Sequence, residues 1–264
     1  MVGAASLAPS RRSSARSAVD LQAEEDFAAH HGHPDLGPVA VVVAAYMEAD
    51  NIAQVVGAVP DQACGLALRT LVVVDGGDDG TVEAARRAGA YACWCPENRG
   101  QGAALRLGYR LAAEHGARFL VTIDADGQYD PRDIPAVLEP VVAGQADLVS
   151  GSRRLGSDGT PDPVRRAGVV LFSWLISALC RHRVTDPANG LRAMRAEVPA
   201  SLELSEDQYQ ASELLVGALR RGWRVAERPV SVAARLSGSS KKAGNLLYGL
   251  SFLRVVVKTW LRGR

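Results

Sequence analysis

The segment Val121-Thr122-Ile123-Asp124-Ala125-Asp126-Gly127-Gln128 sets two carboxylates two residues apart at the end of an apolar run. In extended backbone, residues i and i+2 share a face, so Asp124 and Asp126 point the same way. Oxygen ligands of this kind suit magnesium or manganese, which take few protein ligands and leave positions for substrate phosphates. A solvated acidic turn accounts for the same residues without chemistry, and an isolated Asp-x-Asp does not decide between them. Two basic groups add to the chemistry. Arg235 and Lys241 lie in a Ser/Gly-rich stretch that reads either as a diphosphate contact or as a flexible basic loop, and Gly151-Ser152-Arg153 precedes the pair Arg165-Arg166. Arginine matches phosphate geometry bidentately, although arginines at loop and helix ends are often simply solvated.

The elements that must position these residues follow an alternating pattern. Apolar runs at Val39–Ala45, Leu71–Val74 and Phe119–Ile123 read as buried strands, with a shorter one near Ala90–Trp94 and another at Ala146–Ser150. Helical stretches fall between them, at Asp50–Val59, from about Thr81 to Ala88 and from about Gly102 to His115, which is βαβ logic. Open sheets of this type bind ligands beyond the carboxyl ends of their strands, and Tyr46, Glu48, Asp75, Asp124 and Asp126 all stand at such ends. Three strand ends therefore converge on one expected site.

At 264 residues and 47% hydrophobic content, the chain can bury a large core, and 30 basic against 29 acidic residues leave a net charge of +1. That balance gives no reason to expect nucleic acid, so electrostatic function must come from local clusters. Cys64, Cys93, Cys95 and Cys180 lack zinc-site spacing and read as reduced core residues. Residues 1–37 show no steady apolar periodicity, so a flexible leader with at most one short helix near Leu21–Ala29 is expected, the folded domain beginning near Pro38. Arg11, Arg12 and Arg16 precede no apolar signal segment, and the chemistry is expected on the cytoplasmic side.

Taken together, Val41–Asn51 (VVVAAYMEADN), Val72–Thr81 (VVVDGGDDGT), Pro96–Ala104 (PENRGQGAA), Ile123–Ile134 (IDADGQYDPRDI), Asp147–Arg153 (DLVSGSR) and Arg235–Lys241 (RLSGSSK) resemble family 2 glycosyltransferases over about residues 39–242. The resemblance is to the branch that glycosylates dolichyl or polyprenyl phosphate. It implies an α/β GT-A fold with a mostly parallel sheet over residues 38–242, and inverting, metal-dependent transfer of a hexose from a GDP- or UDP-sugar. By position, Ala45, Tyr46, Glu48 and Asp75 would meet the nucleoside, Asp124, Asp126 and Gln128 the Mg2+ or Mn2+, and Arg235 and Lys241 the diphosphate. Ser152, Arg153, Arg165 and Arg166 would receive the lipid phosphate. The chain departs from the family pattern at Met47, Gly76 and Gln101, where Asn, Asp and Lys are usual.

A phosphate acceptor arrives already ionised, whereas a soluble hydroxyl acceptor needs a general base, for which Glu206, Asp207 and Glu213 are the nearest acids. A degenerate domain that only binds a nucleotide is a third reading. The apolar segment Ala167–Cys180 is too short to span a bilayer. It is expected to lie at the membrane surface together with a basic amphipathic helix over 243–264, whose Arg254, Lys258 and Arg262 share a face. Peripheral membrane association, direct or through a membrane protein partner, is the corresponding expectation.

Overall fold

The computed structural model describes residues 16–159, 163–233 and 245–262, without the side chains of 163–165 and 245–248. It opens with α1 (Ala18–His31), β1 (Val39–Ala45), α2 (Ala49–Ala58), a hairpin of β2 (Gln62–Ala63) with β3 (Leu66–Asp75), α3 (Thr81–Arg87), β4 (Tyr91–Cys95), α4 (Gln101–Glu114) and β5 (Phe119–Asp124). After a 3-10 turn at Pro131–Asp133 come α5 (Ile134–Val142), β6 (Leu148–Asp158), α6 (Pro163–Cys180), β7 (Arg192–Arg195), α7 (Glu197–Ala200), α8 (Gln210–Arg220), β8 (Val225–Val232) and α9 (Asn245–Arg262).

One sheet runs β3-β1-β5-β7-β6-β8, with β4 and the short β2 also paired to β3. β4, β3, β1 and β5 are mutually parallel, as are β6 and β8, while β7 lies antiparallel between β5 and β6. The apolar run of β1 serves two cores at once. Val39, Val41 and Val43 pack with Ile52, Val55 and Val56 of α2, whereas Ala40 and Val42 join Leu107 of α4 and Phe27 of α1 on the opposite face. Burial on both faces is why β1 and β5 read as continuous hydrophobic runs.

Ahead of Pro38, the one helix expected near Leu21–Ala29 is present, longer than expected and packed onto the domain. α1 spans 14 residues, starts where Ser17 Oγ accepts the Asp20 N–H at 3.1 Å, and buries Ala23 and Phe27 completely. Burying one Phe is worth about 1.5–3 kcal/mol. His31 Nε2 sits against the Ala92 backbone, so α1 also covers the outer edge of β4. Its apolar face is only two residues wide, Ala23 and Phe27 one turn apart, which leaves no periodicity to read.

Among the described residues, no helix is long and apolar enough to cross a membrane. α9 packs beside α6 and α8 with Phe252 against Phe172 at 4.3 Å between ring centroids. The basic face of α9 lies at the surface over buried acids: Arg254, 65% exposed, and Lys258 both pair with Glu206, at 2.9 and 2.5 Å, and Arg262 lies 3.6 Å from Glu213. The basic stripe expected from the spacing is thus present at the surface, with each of its cations held by a buried carboxylate beneath it.

Candidate functional site

Register brings the three strand ends together, with Ala45 beside Val74 and Ala44 beside Asp124. The loop after β1 is stapled to the loop after β3: Glu48 N–H donates to Thr81 Oγ1 at 3.0 Å and Ala49 N–H to Asp79 Oδ2 at 3.1 Å. Tyr46 and Met47 stay exposed on that shared rim, and Glu48 accepts from Asn51 Nδ2. Asp75 is buried, and its carboxylate accepts the backbone N–H groups of Arg99 and Gly100. Burial pushes its pKa up despite those two donors. The residue expected to meet a nucleobase thus also holds the turn that starts α4. At Gly76, φ is +79° and an added Cβ would stand 2.7 Å from Asn98 N, so the Asp usual in the family has no room here.

Asp124 and Asp126 follow β5 as expected. Gln101 Nε2 donates to Asp124 Oδ1 at 2.8 Å. Asp126 is 6% exposed and accepts the Gln128 N–H at 3.1 Å. Gln128 is zipped to the end of β8, its Nε2 donating to Ala233 O at 3.1 Å and its carbonyl accepting the Ala233 N–H at 2.8 Å. Arg235 follows Ala233 by two positions in sequence, but it and Lys241 lie outside the described residues. Among the described residues there is no cluster of three or more His, Cys, Asp or Glu side chains arranged as a metal cage. Two carboxylates and one amide at Asp124, Asp126 and Gln128 nonetheless fit a hard divalent cation, which takes its remaining oxygens from water and phosphate.

A turn at 186–190 that sequence reasoning missed closes over Asp124. Thr122 Oγ1 donates to Gly190 O at 2.7 Å, and Gly190 N–H donates to Tyr129 OH at 2.8 Å. A Cβ on residue 190 would lie 2.6 Å from Asp124 Oδ2, so only glycine permits this approach. Arg192, completely enclosed, donates to the carbonyls of Asn189, Pro187 and Ala211 and so pins the turn. The Asp-Pro and Asn-Gly dipeptides of this segment were its available turn signal.

On the other side, Ser152 is fully buried with its hydroxyl 2.6 Å from Thr185 Oγ1. Arg153 is likewise buried, its Nε 2.7 Å from Asp186 Oδ2. Desolvation works against that guanidinium's charge, yet the Asp186 carboxylate beside it holds its pKa above the usual value. Arg166 is exposed, 3.6 Å from Asp158; the Arg165 side chain lies outside the described residues. Arg153, Arg154 and Arg166, with Asp158, Gly156, Val169 and Val170, line a cavity of about 420 Å³. The acids near a hypothetical hydroxyl acceptor are engaged: Glu213 accepts the N–H groups of Ser205 and Glu206, Glu206 meets Arg254 and Lys258, and Asp207 meets Arg106.

Comparison with known proteins agrees with this geometry. The model of the glycosyl transferase family 2 matches residues 40–198. The chain is 33% identical over 227 residues to a dolichyl-phosphate hexose transferase of Haloferax volcanii, covering 85% of this chain and 96% of the relative. It is 30% identical over 227 residues to an undecaprenyl-phosphate mannosyltransferase of Micrococcus luteus, covering 79% and 89%. A crystal structure of glucosyl-3-phosphoglycerate synthase from Mycobacterium tuberculosis, bound to Mn2+, UDP-glucose and phosphoglyceric acid, shares the fold with a TM-score of 0.67 at 23% identity, covering 90% of this chain and 83% of that one. With the family model matched over residues 40–198 and these relatives covered over most of their length, the chain belongs to the family 2 glycosyltransferases and has their GT-A fold.

Proposed function

We propose that the enzyme transfers a hexose from a nucleoside-diphosphate sugar to a polyprenyl phosphate at a membrane surface. The observation that carries the acceptor reading is the 420 Å³ cavity, lined by Arg153 and Arg154 of β6 and by Arg166, Val169 and Val170 of α6. Beyond Val170, α6 also exposes Leu171, 60% exposed, and Trp174, 69% exposed, and α9, which packs beside it, exposes Leu250, Leu253, Val257 and Leu261. A charged pocket opening onto an apolar helix face suits an amphiphile with an anionic head. The names of the relatives support the same acceptor class.

Asp124, Asp126 and Gln128 would hold a divalent cation, which when bound screens the charge of the departing diphosphate. Arg235 and Lys241 would meet the same diphosphate, Tyr46 and Glu48 the nucleoside, and Asp75 would set the wall beside it. A phosphate oxygen of the acceptor attacks the anomeric carbon, the bond from that carbon to the diphosphate oxygen breaks, and the nucleoside diphosphate leaves with the electron pair, inverting the centre. No proton need be removed from an ionised phosphate monoester, which accords with the engagement of Glu206, Asp207 and Glu213 in ion pairs and backbone bonds.

The test supplies labelled UDP-glucose or GDP-mannose, with Mn2+ or Mg2+, to the enzyme with polyprenyl phosphate in vesicles or with soluble hydroxyl acceptors. Label in a lipid-phosphate product is expected. Transfer to soluble acceptors alone overturns the proposal.

A further inference from the structure

α1 lies outside the residues matched by the family model, yet it reaches the donor site through one side chain. Arg99 Nη2 donates to Asp20 at 2.7 Å, and Arg99 Nη1 donates to Ser17 Oγ at 2.9 Å. Both partners are at the start of α1. The next links follow without a gap in sequence: Arg99 and Gly100 give their N–H groups to Asp75, and Gln101 gives its amide to Asp124. Residues 99, 100 and 101 therefore join α1, the β3 end and the β5 end in a single turn. Gly102 N–H donates to Asp207 O at 2.7 Å, fixing the far side of the same turn.

Resting on the reading of Asp124 as a donor-site carboxylate, we propose that α1 is a clamp on the donor site: Asp20, through Arg99, fixes the 99–101 turn so that Gln101 positions Asp124 for a divalent cation. Gln101 is suited to this because a neutral amide orients a carboxylate without neutralising it. Groups that hydrogen-bond a ligating carboxylate commonly control metal affinity by about 10- to 100-fold. Asp20, Arg99 and Gln101 are positioning residues, acting on the cation only through Asp124.

A structural helix would affect stability alone, so the experiment compares ligand affinity with unliganded stability. Binding of Mn2+ together with UDP, and separately with GDP, is measured by calorimetry on the full chain, alongside the melting temperature without ligand. Gln101→Ala is expected to weaken Mn2+-dependent binding about tenfold, and Asp20→Asn about fivefold, within the usual range of coupling between linked sites. Glu24→Gln is the control, since Glu24 sits on the same helix and shares Arg110 with Asp20 but makes no pair with Arg99; it is expected to lower the melting temperature with affinity unchanged. Arg99→Met, which leaves α1 and the backbone N–H groups in place, provides the same reading should Asp20→Asn not fold. Unchanged affinity in Asp20→Asn or Arg99→Met, or equal losses in Asp20→Asn and Glu24→Gln, overturns the clamp. A wild-type chain that binds neither nucleotide in a Mn2+-dependent way overturns the donor-site reading, and the clamp with it; a wild type that binds, and loses binding in Asp126→Ala, isolates the clamp as the claim under test.

Discussion

Arg153 is the residue on which sequence pattern and structure pull apart, and replacing its partner measures the difference. The Asp186 carboxylate, fully buried, accepts from Arg153 Nε at 2.7 Å, Arg153 N at 3.2 Å and Asn189 Nδ2 at 3.1 Å. Asp186→Ala leaves a guanidinium enclosed without its counter-charge and a buried backbone N–H without its acceptor. Breaking a buried pair from one side costs about 3–5 kcal/mol, and the orphaned N–H falls partly within that figure, so we expect a loss of about 4 kcal/mol in urea unfolding followed by circular dichroism. At about 2–4 °C per kcal/mol for a chain of this size, the melting temperature should drop by roughly 8–16 °C. Arg153→Met with Asp186→Leu, which removes both charges, should recover all but about 1–2 kcal/mol. A loss below about 1 kcal/mol in Asp186→Ala would refute the argument, because it would mean that Arg153 is solvated and free to exchange Asp186 for a substrate phosphate.

Three further outcomes follow from the same geometry. Asp126→Ala should reduce turnover by at least about 100-fold, the scale of losing a strong electrostatic contact to a transition state, measured with saturating donor and metal. Arg99 and Arg110 hold Asp20 below its ordinary pKa of 3.8 against the opposing effect of burial, and Arg224 holds Asp147 below the same value. Depressed carboxylates contribute stability that is complete above their unfolded pKa and lost as pH falls through the folded one, so unfolding free energy should decline from about pH 5 downward, and less steeply in Asp20→Asn and Asp147→Asn. Leu171→Ser with Trp174→Ser should lower partitioning onto anionic vesicles by at least about tenfold, given about 1.5–3 kcal/mol for each large apolar side chain, while Mn2+-dependent nucleotide binding stays unchanged; equal partitioning would remove α6 from the membrane contact.

The part of the fold legible in sequence is the part whose strands are covered on both faces. β1 and the inner half of β3 are unbroken apolar runs, and β5 is one but for Thr122 and its terminal Asp124, because α1 and α4 lie on one side and α2 and α5 on the other. β8, with Glu227, Arg228 and Pro229 at its centre, carries no such run and was not anticipated; nor was the outer half of β6, from Arg154 to Asp158, whose side chains are mostly exposed. The same limit governed the site. Asp124, Asp126 and Asp75 announced themselves at strand ends, whereas Gly190 and Arg192 act by letting a turn approach and by pinning it, functions that no residue type advertises.

Cations were the least legible feature for a related reason. A carboxylate at the end of a buried strand has few ways to face, but an arginine can pair inward or outward with no change in the surrounding pattern. Here Arg99 is taken up by Asp20, Arg153 by Asp186, Arg254 and Lys258 by Glu206, and Arg192 by backbone carbonyls. An incoming phosphate competes poorly for Arg153, since extracting it leaves the buried Asp186 uncompensated, whereas Arg254 and Lys258, 65% and 40% exposed, share one acid between them. Arg166 is held more loosely than Arg153: it is more than half exposed, lies 3.6 Å from the Asp158 carboxylate and donates to Asp158 O at 3.3 Å, and exposed pairs are worth only about 0–1 kcal/mol. Exchange of the Asp158 carboxylate for a phosphate at Arg166 therefore costs less than the corresponding exchange at Arg153, and Arg154, exposed on the same cavity, adds a second cation. For the polyprenyl-phosphate acceptor proposed above, the anionic head is expected at Arg154 and Arg166, with Arg153 shaping the wall behind them.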